Sequence, residues 1–163
     1  MSKIIEIYTD GSCSGNPGPG GWAAIVLMND DKYIISGFEK QTTNNRMEIL
    51  ASINSLKKIK DDYRIKLYTD SNYLKNGITV WIKTWKKTNW LNSQKKPVAN
   101  QDLWVLLDNI NEQLHIEWNW VKGHETNLYN NLADKYAVEA MKNQHGVILK
   151  NGETTDILKY FGH

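Results

Sequence analysis

Ile7-Tyr8-Thr9-Asp10-Gly11-Ser12 and Leu67-Tyr68-Thr69-Asp70-Ser71-Asn72 echo one another, and each ends an apolar run on an aspartate. Ile4 to Thr9 and Arg64 to Thr69 both read as strands. Between them, Asn44 to Lys60 carries Met47, Leu50, Ala51, Ile53 and Leu56 at helical spacing, with lysines gathering at its C-terminal end as the helix dipole prefers. A strand, a crossover helix and a second strand of one sheet make the two strands parallel neighbours. Asp10 and Asp70 then stand side by side at the carboxyl edge of the sheet, where open α/β sheets place their sites. Either aspartate alone reads more simply: Asp10-Gly11 as a turn, Asp70 as the cap of a short helix. Their paired occurrence favours a site.

Outward from this pair the chain fills in as α/β layers. Asp10 to Gly21 holds five glycines and two prolines and reads as a loop. Trp22 to Met28 and Tyr33 to Phe38 read as a hairpin, so that three meandering strands open the fold. Gln101 to Gln113 is expected as a helix, His115 to Val121 as a Trp-rich strand, and Asn127 to Met141 as a helix with its apolar face on Leu128, Leu132, Ala133, Tyr136, Ala137 and Ala140. After Gln144 the pattern fades, and a loosely ordered tail is expected over 146–163. No composition break divides the chain, so residues 1–145 read as one domain.

Composition narrows the class. The chain has 163 residues, 40% apolar and 23% charged, and one cysteine. A core of this size needs no disulfide or structural metal, and a lone Cys13 without Cys/His pairs argues against a disulfide scaffold or a zinc ribbon. Met1 to Ile7 alternates with charge and no apolar run approaches a membrane span, so the expected address is the cytoplasm, with no membrane contact. The net charge of +2 conceals an asymmetry: Ser71 to Gln101 holds six lysines and no acid, leaving −4 for the rest. Trp81, Trp85 and Trp90 are interleaved with those lysines, a pattern suited to neutralising phosphates and packing against sugars or bases. At i and i+4, Trp81 and Trp85 suit the core equally well.

Two further carboxylates join the pair. Glu48 falls in the first turn of the crossover helix, where Asn45-Arg46-Met47-Glu48 also reads as a capping box. Asp134 lies beside the apolar stripe of the last helix, where a solvated position is the default and only the constellation lifts it. Four clustered carboxylates without a Lys or Arg would repel at neutral pH, and a divalent cation removes that conflict. An oxygen-only set suits Mg²⁺ or Mn²⁺, and two such ions roughly 3.5 to 4 Å apart activate water and stabilise the leaving oxygen of a phosphodiester. His124, in the loop before the last helix, has an imidazole suited to relaying a proton or releasing product. Cys13 has no basic partner to make it a nucleophile.

Tyr-Thr-Asp-Gly-Ser at 8–12, Asn-Pro-Gly-Pro-Gly-Gly-Trp at 16–22, Thr-Thr-Asn-Asn-Arg-Met-Glu at 42–48, Tyr-Thr-Asp-Ser at 68–71, Gly-His at 123–124 and Leu-Ala-Asp at 132–134 together resemble bacterial type 1 ribonuclease H, in order over residues 3–142. The resemblance implies a ribonuclease H-like α/β fold: a mixed five-stranded sheet, three antiparallel strands then two parallel, flanked by helices. It implies an endonuclease that cuts the RNA strand of RNA/DNA hybrids with two Mg²⁺ ions, Mn²⁺ as a substitute, leaving 5′-phosphate and 3′-hydroxyl ends, and acting as a monomer without an obligate protein partner. Asp10, Glu48, Asp70 and Asp134 become the metal carboxylates, Asp10 reaching both ions, and His124 the auxiliary residue. Cys13, Asn16, Thr43, Asn44, Asn45 and Asn72 fall in the substrate groove, with Asn16 and Thr43 on the DNA phosphate side. The segment 81–98, with Trp81, Trp85, Lys86 and Lys87, becomes a basic protrusion on the duplex.

Departures from the family pattern are Asn72 where Gln is usual, Asn131 where Glu is common, and Glu125-Thr126-Asn127-Leu128-Tyr129 in place of a Gly/His/Pro-rich loop. Two rival readings are an integrase-like strand-transfer domain of the same fold and a hybrid-binding module without catalysis. The first normally needs further DNA-binding or assembly regions; the second sits poorly with four retained carboxylates.

Overall fold

The computed structural model describes residues 3–59, 63–122 and 127–155. β1 (Lys3–Cys13), β2 (Gly18–Met28) and β3 (Asp31–Thr42) form an antiparallel meander, followed by α1 (Asn44–Leu56) and β4 (Tyr63–Thr69). A helical stretch then runs through α2 (Asn72–Asn76), a π-helical segment (Gly77–Trp81) and α3 (Ile82–Lys87). α4 (Gln101–Gln113), β5 (His115–Trp120), α5 (Leu128–Asn143), β6 (Ile148–Lys150) and β7 (Glu153–Thr154) complete the described chain.

The sheet order is β5-β4-β1-β2-β3-β6-β7, with β1–β4 and β4–β5 parallel and the other pairs antiparallel. Period-two alternation splits the side chains between two cores. Ile5, Ile7, Ala24, Val26, Ile65 and Leu67 face α1, α4 and the α2–α3 stretch, around a fully buried Trp104. Tyr8, Ile25 and Ile34 face α5 through Ala133, Tyr129, Leu132 and Tyr136. Small residues let α5 approach closely: a Cβ on Gly21 would lie 2.1 Å from the Ala137 carbonyl oxygen.

The structure differs from the sequence reading at two places. The glycine-rich stretch 10–21 is mostly strand, because β1 runs on to Cys13 and β2 begins at Gly18 with Gly20 paired to Cys13. Gly11, Gly20 and Gly21 serve close packing there, and Gly15, at a positive φ of 69°, makes the turn between the two strands. Among the described residues the sheet also has seven strands, not five, because residues 148–150 and 153–154, read as part of a loose tail, form a hairpin on the edge of β3. The overlooked signal is Asn151-Gly152, both at positive φ (51° and 89°), the two-residue turn that closes tight hairpins. Asn151 also ties the hairpin down, its amide donating to Asp31 Oδ1 (2.9 Å) and its Oδ1 accepting the Lys32 N–H (2.8 Å).

Candidate active site

The echo between the two Asp segments is realised in the register. Tyr8 pairs with Tyr68 across parallel β1 and β4, and their rings stack at 4.6 Å and 10°. Two residues further along each chain, Asp10 and Asp70 emerge together at the carboxyl end of the sheet. Neither aspartate serves a turn or cap. Asp10 is still paired within β1, opposite Ala23. Ser71 caps α2, its hydroxyl accepting the Leu74 N–H at 3.0 Å. The end of β4 is held by the Val121 N–H on the Thr69 carbonyl (2.9 Å) and by the Trp120 indole N–H on the Asp70 carbonyl (3.2 Å).

Glu48 approaches from the other side of the sheet. Thr43, not Asn45, caps α1, its Oγ1 accepting the Arg46 N–H at 3.2 Å, so Glu48 is free of the capping box. Its path lies over Gly11, where a Cβ would stand 2.7 Å from the Glu48 backbone nitrogen. The Gly11 N–H donates to Glu48 Oε1 and also lies 2.9 Å from Asp10 Oδ1. Carboxylate oxygens of Asp10, Glu48 and Asp70 come within 4.8 Å of one another. Asp134, from α5, stands outside that close group but lines the same depression of about 250 Å³, along with Asn44 and Ser71.

The electrostatics follow from burial. Glu48 is 2% exposed and Asp10 4%. Burial raises the Asp10 carboxyl to about 7; the hydrogen bond with Glu48 opposes the rise and the Asp70 charge adds to it. Glu48 is pushed well above the usual carboxylate range by burial and then by Asp10. Glu48 Oε2 is buried with no hydrogen-bond partner among the described residues. Two buried acids held against a third, with one oxygen left without a partner, are a donor set that a hard divalent cation satisfies. The residues therefore fit a metal.

The other expected site residues form a rim. The Asn16 amide oxygen accepts the Asn44 N–H (3.0 Å), joining the β1–β2 turn to the start of α1. The Cys13 thiol lies 3.4 Å from the Thr42 carbonyl and 3.3 Å from that of Gly15, a turn-bracing role. Asn44, Asn45 and Asn72 are exposed, Asn72 opening α2. Trp85 is packed against the main core, 5.5 Å from Trp104, whereas Trp81 is 37% exposed and stands edge-on to Tyr73. Lys86 is ion-paired to Asp108 (3.2 Å) and Glu112, while Lys87 is exposed and in no ion pair among the described residues. His124 lies outside the described residues. The sequence reading missed Gly11 as the passage for Glu48, and Arg46, whose guanidinium binds both Asp102 oxygens (3.0 and 2.8 Å) and so fixes α1 to α4. The Asp-Gly step at 10–11 was the available signal for the first; nothing local marked the second.

A mixed sheet between helical layers, with an acidic cluster that could hold a cation at the ends of its parallel strands, is an architecture suited to metal-assisted chemistry. Comparison with known proteins is specific: the family model described as RNase H matches residues 2–142. Ribonuclease H of Caldanaerobacter subterraneus subsp. tengcongensis is 54% identical over 142 residues, covering 86% of this chain and 93% of that protein. Ribonuclease H of Mesorhizobium japonicum is 51% identical over 141 residues, covering 86% and 80%. Among solved structures, LC9-RNase H1, described as a type 1 RNase H with the type 2 active-site motif, aligns with a TM-score of 0.81 at 27% identity over 97% of this chain and 79% of its own. The chain belongs to the RNase H family.

Proposed function

We propose that this protein hydrolyses the RNA strand of RNA/DNA hybrids as a bacterial type 1 ribonuclease H, with Asp10, Glu48, Asp70 and Asp134 as the ligands of two Mg²⁺ ions, Mn²⁺ serving as a substitute. The observation that carries the reading is the convergence of three carboxylates, two of them buried, around an unpartnered Glu48 Oε2. When bound, the ions supply activation of a water and neutralisation of charge on the leaving 3′ oxygen. The protein's own part is positional. Parallel pairing brings Asp10 and Asp70 together, and Gly11 holds Glu48 Oε1 through its N–H. Attack of water on phosphorus with loss of the 3′ oxygen leaves 5′-phosphate and 3′-hydroxyl ends. His124 moves a proton or loosens product.

The rim gives the substrate its seat. Asn16 and Thr43 hold the DNA phosphate side, and Asn44, Asn45 and Asn72, whose exposure supports the reading, contact the minor groove, where the 2′-hydroxyl tells RNA from DNA. Asn72 is shorter than the family's usual Gln, so its contact is made at closer range or through water. Trp81 and Lys87 extend the surface along the protrusion at 81–98. Residues 1–145 form this hybrid-cleaving unit, working as a cytoplasmic monomer with no obligate protein partner and no membrane contact. The α-helices of the described residues include none long and apolar enough to cross a membrane.

The test is a labelled RNA/DNA hybrid incubated with Mg²⁺ beside matching RNA/RNA and DNA/DNA duplexes. Cleavage of the hybrid RNA alone, lost on chelation, is expected; equal cleavage of all duplexes, or of none, sinks the reading.

A further inference from the structure

The lysine-rich segment invites the reading that each of its lysines meets a phosphate, and Lys86 is the exception. Lys86 ends α3 and reaches across to α4, where its Nζ sits 3.2 Å from Asp108 Oδ2 and also bonds Glu112 Oε1. Asp108 is only 7% exposed, so its carboxylate is a buried charge that needs a cation beside it. The preceding residue, Trp85, packs on Trp104 of the same helix at 5.5 Å. α3 is therefore pinned to α4 by one apolar and one ionic contact at consecutive residues. By contrast Lys83, Lys87, Lys95 and Lys96 are exposed and make no ion pair among the described residues. A lysine already neutralised by two carboxylates has little charge left to release counterions from a duplex.

We infer that Lys86 is a positioning residue: by holding α3 to Asp108 and Glu112 of α4 it sets where Lys87 and Trp81 meet the duplex, and it does not itself neutralise a phosphate. This rests on the hybrid-binding reading of the protrusion above. The latch also ties duplex binding to two acids that an electrostatic view of a nucleic-acid surface would count as harmful.

The two roles for Lys86 predict opposite signs for the acids. If Lys86 meets phosphate, Glu112→Gln frees it and removes a repelling charge, so hybrid binding tightens. If Lys86 is a latch, Glu112→Gln and Asp108→Asn loosen the protrusion, and KM for the hybrid rises several-fold in both. Hybrid affinity would be measured against NaCl concentration for the wild type, Lys86→Met, Lys87→Met, Asp108→Asn and Glu112→Gln, with steady-state kinetics and melting temperatures beside it. The latch predicts that Lys86→Met raises KM as Asp108→Asn and Glu112→Gln do, that Lys87→Met flattens the slope by up to about 0.9, and that Lys86→Met with Glu112→Gln is non-additive in melting temperature. Tighter binding by Glu112→Gln, or additive melting losses for that pair, overturns it. A wild-type protein that does not bind the hybrid overturns the functional reading instead, and the non-additive melting temperatures still decide whether the ionic contact exists.

Discussion

Burial pushes the Asp10 and Glu48 carboxyls above the usual carboxylate range, and the stability of the metal-free protein should show it. The Asp10 carboxyl stands at about 7 when folded against 3.8 as its ordinary value. Between those values the folded state binds more protons than the unfolded one, so stability falls as pH rises through the window and the full penalty is present above it. Glu48, shifted the same way, adds to the fall. Melting temperature without metal is therefore expected to drop from pH 4 to above pH 7, and the gain on adding Mg²⁺ to be larger at pH 8 than at pH 5. A metal-free melting curve that improves with pH over that range contradicts the assignment. Asp10→Asn removes a buried charge while keeping its shape. It should raise the metal-free melting temperature at pH 8 and reduce cleavage by several orders of magnitude, a combination that a merely structural aspartate would not give. His124→Ala should slow turnover by roughly 10²- to 10⁴-fold, the usual contribution of a general acid or base, with the fold unaffected.

Each element carries its own test. Thr43 closes the N-terminus of α1, the helix that delivers Glu48, so Thr43→Ala should cost about 1 kcal/mol, or roughly 2–4 °C in melting temperature. The two tryptophans of the protrusion separate by burial. Trp85→Ala opens a space against Trp104 and should lower the melting temperature by several degrees. Trp81→Ala, at a residue 37% exposed, should leave melting nearly unchanged and weaken hybrid binding. Equal melting losses for both would place Trp81 in the core as well. Parallel measurements on the isolated variants by calorimetry and by hybrid titration distinguish these outcomes.

Over the whole molecule, the active site and the C-terminal hairpin lie at different places along one sheet. Asp10 and Asp70 ride on β1 and β4, while β6 covers β3, two strands away from β1 on the far side. Deleting residues 146–163 strips β6 and β7 from β3 and exposes a row of unpaired backbone groups, the kind of edge that recruits other chains. The truncated protein is expected to melt several degrees lower and to associate at high concentration, with kcat on the hybrid nearly unchanged. A loss of kcat at unchanged stability would mean that the hairpin reaches the site by some route other than the sheet.

What the sequence determined by itself is whatever near neighbours control. Alternation in Ile4–Thr9 and Arg64–Thr69, helical spacing in 44–56 and 101–113, and the repeated Thr-Asp at two strand ends already placed Asp10 and Asp70 together. The Asn151-Gly152 turn was equally local and was overlooked because the strands it joins are only three and two residues long. Only the tertiary structure decided the rest. Glu48 becomes part of the cluster because Gly11 lets α1 lie against β1, and Asp134 comes to the same depression from α5 without joining the close group. Lys86 loses its freedom to Asp108 and Glu112, residues more than twenty positions away, while Lys87 next to it keeps its own. Periodicity records which face a residue occupies; which charge waits across the gap depends on how separate elements pack, and no local pattern contains that.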